Sequence, residues 1–539
     1  MRIFCDRKGE KMFLTADEKL LKDSYFWSKG DFIFLKAPPG MGKSKFIRTT
    51  VFQYAIVRNE KVLYLTNRTL LFEQIKNDTC NEIRNQAHMN ICITTYQKIE
   101  KMKTKEIKQF LKEFQYVVCD EAHYFLSDSL FNTQTCRSFQ PIIEASINNV
   151  TIFMSATLDR IRYYVKNVHN TIIAQTMNAS CCPSVVRFWD YDYDANYKNY
   201  NVFYCESWEE YLDYIQENKR KALVFVASIS DGNDIMKSCS KRGISAVFLN
   251  SEAKTYAEGY EYSVINNIVE KKCYDEQVLI ATAILDTGVS IWDDELHDVA
   301  IFNYNYEQFI QMLGRKRCKE DEKINLTLLY RDGRYFNSIL NKKIVPALNL
   351  YAKYFYMAPI KRMQSIYGDI SEHESAKMFT YWDYESYGFV QLNPLSYVEL
   401  ENERNQMVYY LQLIKEAGPL EVLRYQMEMW LKLPGAMLQK LPNSKTQELR
   451  NQLCDEFDSI ANIPMDIQAF HMAIGRIRGK MEQLGAFSKN LRSNDNISKN
   501  ELNNYFKNTQ LPFGVSDYAY DGRKRYYIIT RQMVSVSNI

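Results

Sequence analysis

Short runs of β-branched and aromatic residues alternate with helical stretches through the first three-fifths of the chain, and this alternation limits the fold more than any other feature. Phe32 to Lys36, Val62 to Thr66, Ile91 to Thr95, Tyr116 to Cys119 and Val150 to Met154 are such runs, each followed by a polar or glycine-bearing turn and then a helical pattern. Strands that are apolar on both sides are buried on both faces, and strands separated by helices pair in parallel. A second series follows at Ala222 to Ala227, Ala246 to Leu249, Val278 to Thr282 and Val299 to Asn303. The expected fold class is therefore α/β, with two tandem parallel-sheet lobes. The stretch from Thr176 to Tyr200, with its Cys-Cys-Pro and its Asp, Tyr and Asn, reads as the linker between them.

Beyond Arg334 the glycine-punctuated strands give way to helical periodicity in Val345 to Tyr356, Gln406 to Ala417 and Pro419 to Leu433, a region rich in tyrosine. Near the end, Ser498-Lys499-Asn500-Glu501 reads as a capping box opening a short helix, and Arg523 to Thr530 as a strand led by a basic cluster. A winged helix and an irregular basic tail both suit that pattern. The expected domains are 1–180 and 181–335 for the two lobes, 336–490 for a helical accessory region and 491–539 for the terminal module. A chain of 539 residues is too long for one hydrophobic core, which agrees with several domains. Its net charge of +3 is too small to imply nucleic acid by itself. None of the twelve cysteines forms a C-x-x-C pair, so buried thiols in a reducing compartment are expected instead of a zinc site. No apolar run approaches the roughly twenty residues that span a bilayer. A cytoplasmic location with no membrane partner is the expectation.

The run that starts at Phe32 leads into Ala37-Pro38-Pro39-Gly40-Met41-Gly42-Lys43-Ser44, with a helical stretch after it. A tight turn at a helix N-terminus offers backbone N–H groups to phosphate, and glycines let the ligand approach closely. Ala37 to Ser44 thus forms a candidate ATP-binding loop, in which Lys43 neutralises the β- and γ-phosphates and Ser44 ligates Mg2+. Farther on comes Tyr116-Val117-Val118-Cys119-Asp120-Glu121-Ala122-His123. Carboxylates at the C-terminal end of a strand share the sheet edge where open α/β sheets bind ligands. Asp120 is the second expected magnesium residue and Glu121 the expected general base. Gln308, Gln311 and Arg315 are spaced to share one face of a helix.

Together these residues resemble the superfamily 2 helicases, over Phe32 to Arg317, with Asp-Glu-Ala-His in the position of that superfamily's motif II. The resemblance implies two RecA-like domains. It makes Ser155-Ala156-Thr157 similar to motif III, with Ser155 and Thr157 coupling ATP state to grip on nucleic acid. Thr66-Asn67-Arg68 and Thr94-Thr95-Tyr96-Gln97 resemble motifs Ia and Ib, Val224 to Ser228 motif IV and Thr282 to Ile291 motif V. Arg68, Thr95 and Thr282 are then expected on the strand backbone, and Gly288 on the nucleotide. Motif VI gives Arg315 the role of an arginine finger with Gln311 as its polar companion. A second arginine normally follows three positions later, where this chain has Cys318; Arg317, one residue short, is the candidate replacement and a further nucleotide contact. Gly288-Val289-Ser290 and Gly314-Arg315-Lys316-Arg317 look more like the viral origin-binding helicases than the DEAD-box RNA helicases.

The resemblance implies an ATPase that moves on or unwinds nucleic acid, single-stranded or duplex, with DNA favoured over RNA, in a replication, repair, mobile-element or defence context. Two other readings share the same residues. One is an initiator protein that ATP switches between binding states, and the other is the motor subunit of a restriction or antiviral complex. Partner proteins such as a nuclease or replication factors suit these readings, because the chain has no convincing nuclease constellation.

Overall fold

The computed structural model describes residues 13–67, 90–176, 186–195, 197–250, 260–282, 290–319, 322–368, 375–383, 389–434, 438–442, 444–484, 496–509, 511–521 and 524–531. The first lobe is built on β1 (Asp31–Lys36), β2 (Val62–Thr66), β3 (Ile91–Thr95), β4 (Tyr116–Asp120), β5 (Val150–Ser155) and β6 (Arg187–Asp192). They form one sheet in the order β3-β2-β4-β5-β1-β6, every pair parallel. Side chains alternate across a strand, so each apolar run feeds two cores. Phe32, Phe34, Leu63, Val117 and Phe153 pack on one face, and Ile33, Leu35, Tyr64, Val118 and Ile152 on the other.

The sixth strand lies inside the stretch read as a linker. β6 has the sequence Arg-Phe-Trp-Asp-Tyr-Asp and sits at the sheet edge, where one side is solvated and polar residues are tolerated. It is pinned to its neighbour by Arg187, which donates through Nε to Asp31 Oδ1 at 2.8 Å, and by Trp189 Nε1, 3.1 Å from Asp31 Oδ2. Its ring Phe188 stacks 5.6 Å from Phe32. The connection between the lobes is thereby confined to the residues after Asp192.

The second lobe contains β7 (Tyr200–Cys205), β8 (Lys221–Val226), β9 (Ala246–Leu249), β10 (Val278–Ala281), β11 (Leu296–Phe302) and β12 (Ile324–Leu329). After these come a hairpin, β13 (Thr380–Asp383) with β14 (Phe389–Leu392), and the two-residue β15 (Gln439–Lys440). The second sheet runs β15-β7-β12-β11-β8-β10-β9 and is also parallel throughout. β7 and β12 were not among the sequence-derived strands. The helical region begins as expected with Val345–Phe355, but its second stretch is the end of a 24-residue helix, Pro394–Ala417. The third splits into Leu420–Tyr425 and a π-helical turn, Gln426–Trp430.

Two compact units result. One comprises residues 1–212 and 219–440, and the other 213–218 and 441–539. The terminal unit therefore takes in helices Ser444–Ile460 and Ile467–Leu484, which lie before the boundary expected at 491. Its remaining elements are β16 (Met465–Asp466), helix Lys499–Thr509, β17 (Phe513–Asp521) and β18 (Lys524–Arg531). Ser498 caps the last helix as expected, accepting from Glu501 N at 3.2 Å. The sheet is antiparallel in the order β16-β18-β17 around a core that includes Phe457, Phe470, Tyr505, Phe506 and Ile529. The described elements of this unit run helix, strand, two helices and a closing hairpin. No helix among the described residues is long and apolar enough to cross a membrane.

Candidate nucleotide site between the two lobes

The loop after β1 adopts the conformation its glycines permit. Gly40 and Gly42 have φ of +86° and +83°, the left-handed region that favours glycine, and Gly42 precedes the helix that opens at Lys43. Ala37 N donates to Ser155 O at 3.1 Å, which ties the start of the loop to the end of β5. The Lys43 ammonium is buried and donates to Ala37 O at 2.7 Å, at the centre of the loop. Burial draws it below the usual lysine range, opposed by the charges of Glu121 and Asp120.

Asp120 ends β4, two strands from the loop. Its Oδ2 accepts from Tyr64 Oη at 2.5 Å, so a fully buried tyrosine of β2 fixes one of the two side chains expected to hold magnesium, a link that the alternation of β2 did not reveal. A carboxylate and the Ser44 hydroxyl at the strand-end edge, beside a lysine, are hard oxygen donors that fit a magnesium–phosphate site. Burial and then the Glu121 charge push the Asp120 carboxyl up to about 7.

Glu121 has φ of +48°, uncommon for a side-chain-bearing residue, at a cost on the order of 1–3 kcal/mol. Three side chains converge on its Oε2: Ser155 Oγ donates at 3.2 Å, Gln311 Nε2 at 3.4 Å, and His123 Nδ1 lies 3.4 Å away. Burial raises the Glu121 carboxyl, but Lys43, His123 and Arg315 outweigh it and hold the group below its ordinary range. Ser155 Oγ also accepts from Thr157 N at 3.1 Å and lies 2.8 Å from His123 Nδ1. The residues after β4 and after β5 therefore form one network, with His123 a member that the sequence did not assign.

The second lobe reaches this centre in a way that differs from the expected helical face. Helix Tyr306–Leu313 carries Gln308 and Gln311 but ends before Arg315, and Gln308 accepts from Asn303 Nδ2 at 2.7 Å. Arg315 is placed by the chain after the helix: Ile291 N donates to Arg315 O at 2.8 Å and Arg317 N to Ile291 O at 2.9 Å, a parallel bridge. Residues two apart on an extended chain face the same way. Arg315 and Arg317 accordingly face the cleft. Lys316 points back to Glu322, 2.6 Å away, and Cys318 toward Tyr200 Oη at 3.6 Å. Arg315 donates to Gln311 Oε1 at 3.0 Å. Arg317 donates to Ser290 Oγ at 3.0 Å, and its guanidinium covers Gly40, where an added Cβ would lie 2.8 Å from it. Burial and then Arg315 lower its pKa to about 10, so it stays charged at neutral pH. A Cβ on Gly314 would fall 2.4 Å from Pro39, so glycine there allows the lobes to meet.

Among the expected strand contacts, Thr95 caps helix Tyr96–Glu100 by accepting from Lys98 N at 3.2 Å, and Gln97 donates to Asn67 O at 2.9 Å. Thr282 follows β10, its N donating to Leu249 O at 3.1 Å. Arg68 and Gly288 lie outside the described residues.

Residues 14–160 match the family model described as Type III restriction enzyme, res subunit. No curated protein matches the chain. Among solved structures, S. cerevisiae Dbp5 bound to RNA and ADP BeF3 is 16% identical, with 57% of this chain and 81% of that chain covered and a TM-score of 0.40. A point variant of the same protein, likewise bound to RNA and ADP BeF3, is 15% identical at the same coverages with a TM-score of 0.41.

Proposed function

We propose that the protein is an ATP-dependent translocase or helicase of the superfamily 2 type, with DNA as its favoured strand. The observation that carries this reading is the convergence of Lys43, Ser44, Asp120 and Glu121 of one lobe with Gln311, Arg315 and Arg317 of the other on a single buried cleft. Loop N–H groups and Lys43 hold the β- and γ-phosphates. Ser44 and Asp120 would hold magnesium, which supplies charge neutralisation on the transferred phosphoryl group. Glu121 orients a water and accepts its proton as the water oxygen bonds to the γ-phosphorus and the bond to the ADP oxygen breaks. Arg315 and Arg317 stabilise charge that grows on the γ-oxygens only in the transition state, and they do so only when the lobes are closed. Closure thereby depends on ATP, and differential grip on the strand in the two states turns hydrolysis into movement.

In this reading Arg68, Thr95 and Thr282 touch strand phosphates. The Thr95 hydroxyl accepts from the backbone and keeps its proton free for a phosphate oxygen. Ser155, held between Glu121 and Thr157, carries the change at the nucleotide toward that grip. The winged-helix order of the terminal unit supports DNA over RNA, since such modules place a helix in the major groove of duplex DNA. Replacing Glu121 with Gln tests the chemistry: ATP turnover should fall about 10²- to 10⁴-fold while nucleotide binding persists. Normal turnover by that variant would refute the assignment.

A further inference from the structure

Arg315 and Arg317 reach the cleft from a very short extended segment. Its register rests on two backbone hydrogen bonds to Ile291, from Ile291 N to Arg315 O and from Arg317 N to Ile291 O, in an isolated bridge. A slip of one residue in such a pairing turns every side chain to the opposite face. Both arginines would then point away from the phosphate loop, and Lys316 would take their place.

The side chain of Lys316 opposes that slip. The residue is 4% exposed, buried within the second lobe. Its Nζ donates to Asp293 O at 2.8 Å and forms an ion pair with Glu322, 2.6 Å from Oε1. Glu322 stands just before β12, with its side chain 8% exposed. Asp293 is itself fixed, since its Oδ2 lies 2.8 Å from Nζ of Lys221 at the start of β8 and its Oδ1 accepts from Glu295 N at 3.0 Å. One ammonium is thereby tied to two separate points of the lobe, the segment after Ile291 and the approach to β12. Neighbouring residues of an extended chain face opposite ways, so a side chain locked inward at 316 sets those at 315 and 317 outward.

We propose that Lys316 is a positioning residue, whose anchorage on Asp293 and Glu322 holds the register in which Arg315 and Arg317 face the cleft. This rests on the reading of the cleft as an ATPase site. A positioning role lowers the rate of the chemical step and leaves ground-state nucleotide binding largely alone, because the phosphate loop belongs to the first lobe and the arginines act in the transition state.

The test is steady-state ATPase, fluorescent-nucleotide binding and thermal melting on the full chain, for the parent, Lys316→Met and the double variant Lys316→Met/Glu322→Leu. Lys316→Met leaves Glu322 buried without this partner, so both Tm and kcat should fall. The double variant removes both charges and should regain most of the lost Tm, as replacing a buried ion pair by apolar residues does. The tether to Asp293 is still missing, so its kcat should stay ~10- to 100-fold below the parent's, the cost of a small misplacement of reacting groups. Nucleotide affinity should stay within about twofold in both variants. Recovery of kcat together with Tm would mean that the pair only stabilises the lobe, and would overturn the proposal. A parent kcat in Lys316→Met would do the same, as would a loss of affinity as large as the loss of kcat, which would put the ammonium on the nucleotide. Should Lys316→Met not fold, the double variant alone decides by the same split. An inactive parent would overturn the ATPase reading itself, whereas unchanged kcat in an active parent's variants overturns the positioning role alone.

Discussion

Arg317 shows what the residue scale adds. The superfamily resemblance put a cysteine where a second arginine is expected, and a helical reading put Arg315 on one face with Gln308 and Gln311. The chain leaves the helix at Leu313 and pairs with Ile291, so the facing residues become 315 and 317. That change from a period of 3.6 to a period of 2 could not be read from a short polar run, because its cause is a bridge to a distant segment. Arg317→Ala should then lower ATP turnover by about 10³-fold or more, as loss of a charge-stabilising arginine does, while Cys318→Arg should not restore it, since position 318 faces Tyr200. A variant as active as the parent in steady-state assays would contradict the placement. Glu307 offers a second test. Burial pushes its carboxyl up to about 8, against the opposing charge of Arg160 and with the added repulsion of Glu399, Asp159 and Asp128. A carboxyl raised in the folded state binds more protons there than in the unfolded chain, so its contribution to stability is lost as pH rises through that value. Melting curves should show Glu307→Gln gaining Tm over the parent at pH 9 by more than it does at pH 6; the opposite trend would contradict a buried, proton-retaining Glu307.

At the level of elements, runs of uninterrupted apolar residues were legible and runs broken by polar residues, such as Ile-Asn-Leu-Thr-Leu-Leu in β12, were not. β1, β2, β4, β5, β8 and β10 are continuous apolar runs in the middle of their sheets, and their positions were plain. β6 alternates polar and apolar residues at an edge and read as a linker; β7 and β12 likewise escaped notice, although the second sheet depends on both. The candidate site was more legible than the fold around it, because phosphate chemistry demands particular residues at a strand end, whereas Tyr64 and Gly314 matter through neighbours that only tertiary contact supplies. Gly314 has φ −69° and ψ −6°, values any residue adopts, so its demand is for space against Pro39 and not for conformational freedom. Gly314→Ala should leave each lobe folded and oppose their closure by about 1–3 kcal/mol, the usual cost of overpacking. A circular dichroism spectrum like the parent's with turnover reduced at saturating ATP is the expected result; undiminished turnover would mean the lobes do not need this approach.

For the whole molecule, two parallel-sheet lobes share one cleft, a helix reaches across both, and a smaller unit of helices and a three-stranded antiparallel sheet follows in the chain. In the proposed reading Glu121 and the two arginines would lie on opposite sides of the γ-phosphate, so hydrolysis would require closure, and closure would be the event a bound strand favours. Steady-state ATPase of the purified full chain, without nucleic acid and with single-stranded DNA, duplex DNA or single-stranded RNA at one low salt concentration, tests that claim most directly. Phosphate contacts dominate such binding and are strongest at low salt. The account predicts stimulation by DNA, abolished by Lys43→Ala; turnover that is the same with and without any nucleic acid would contradict it.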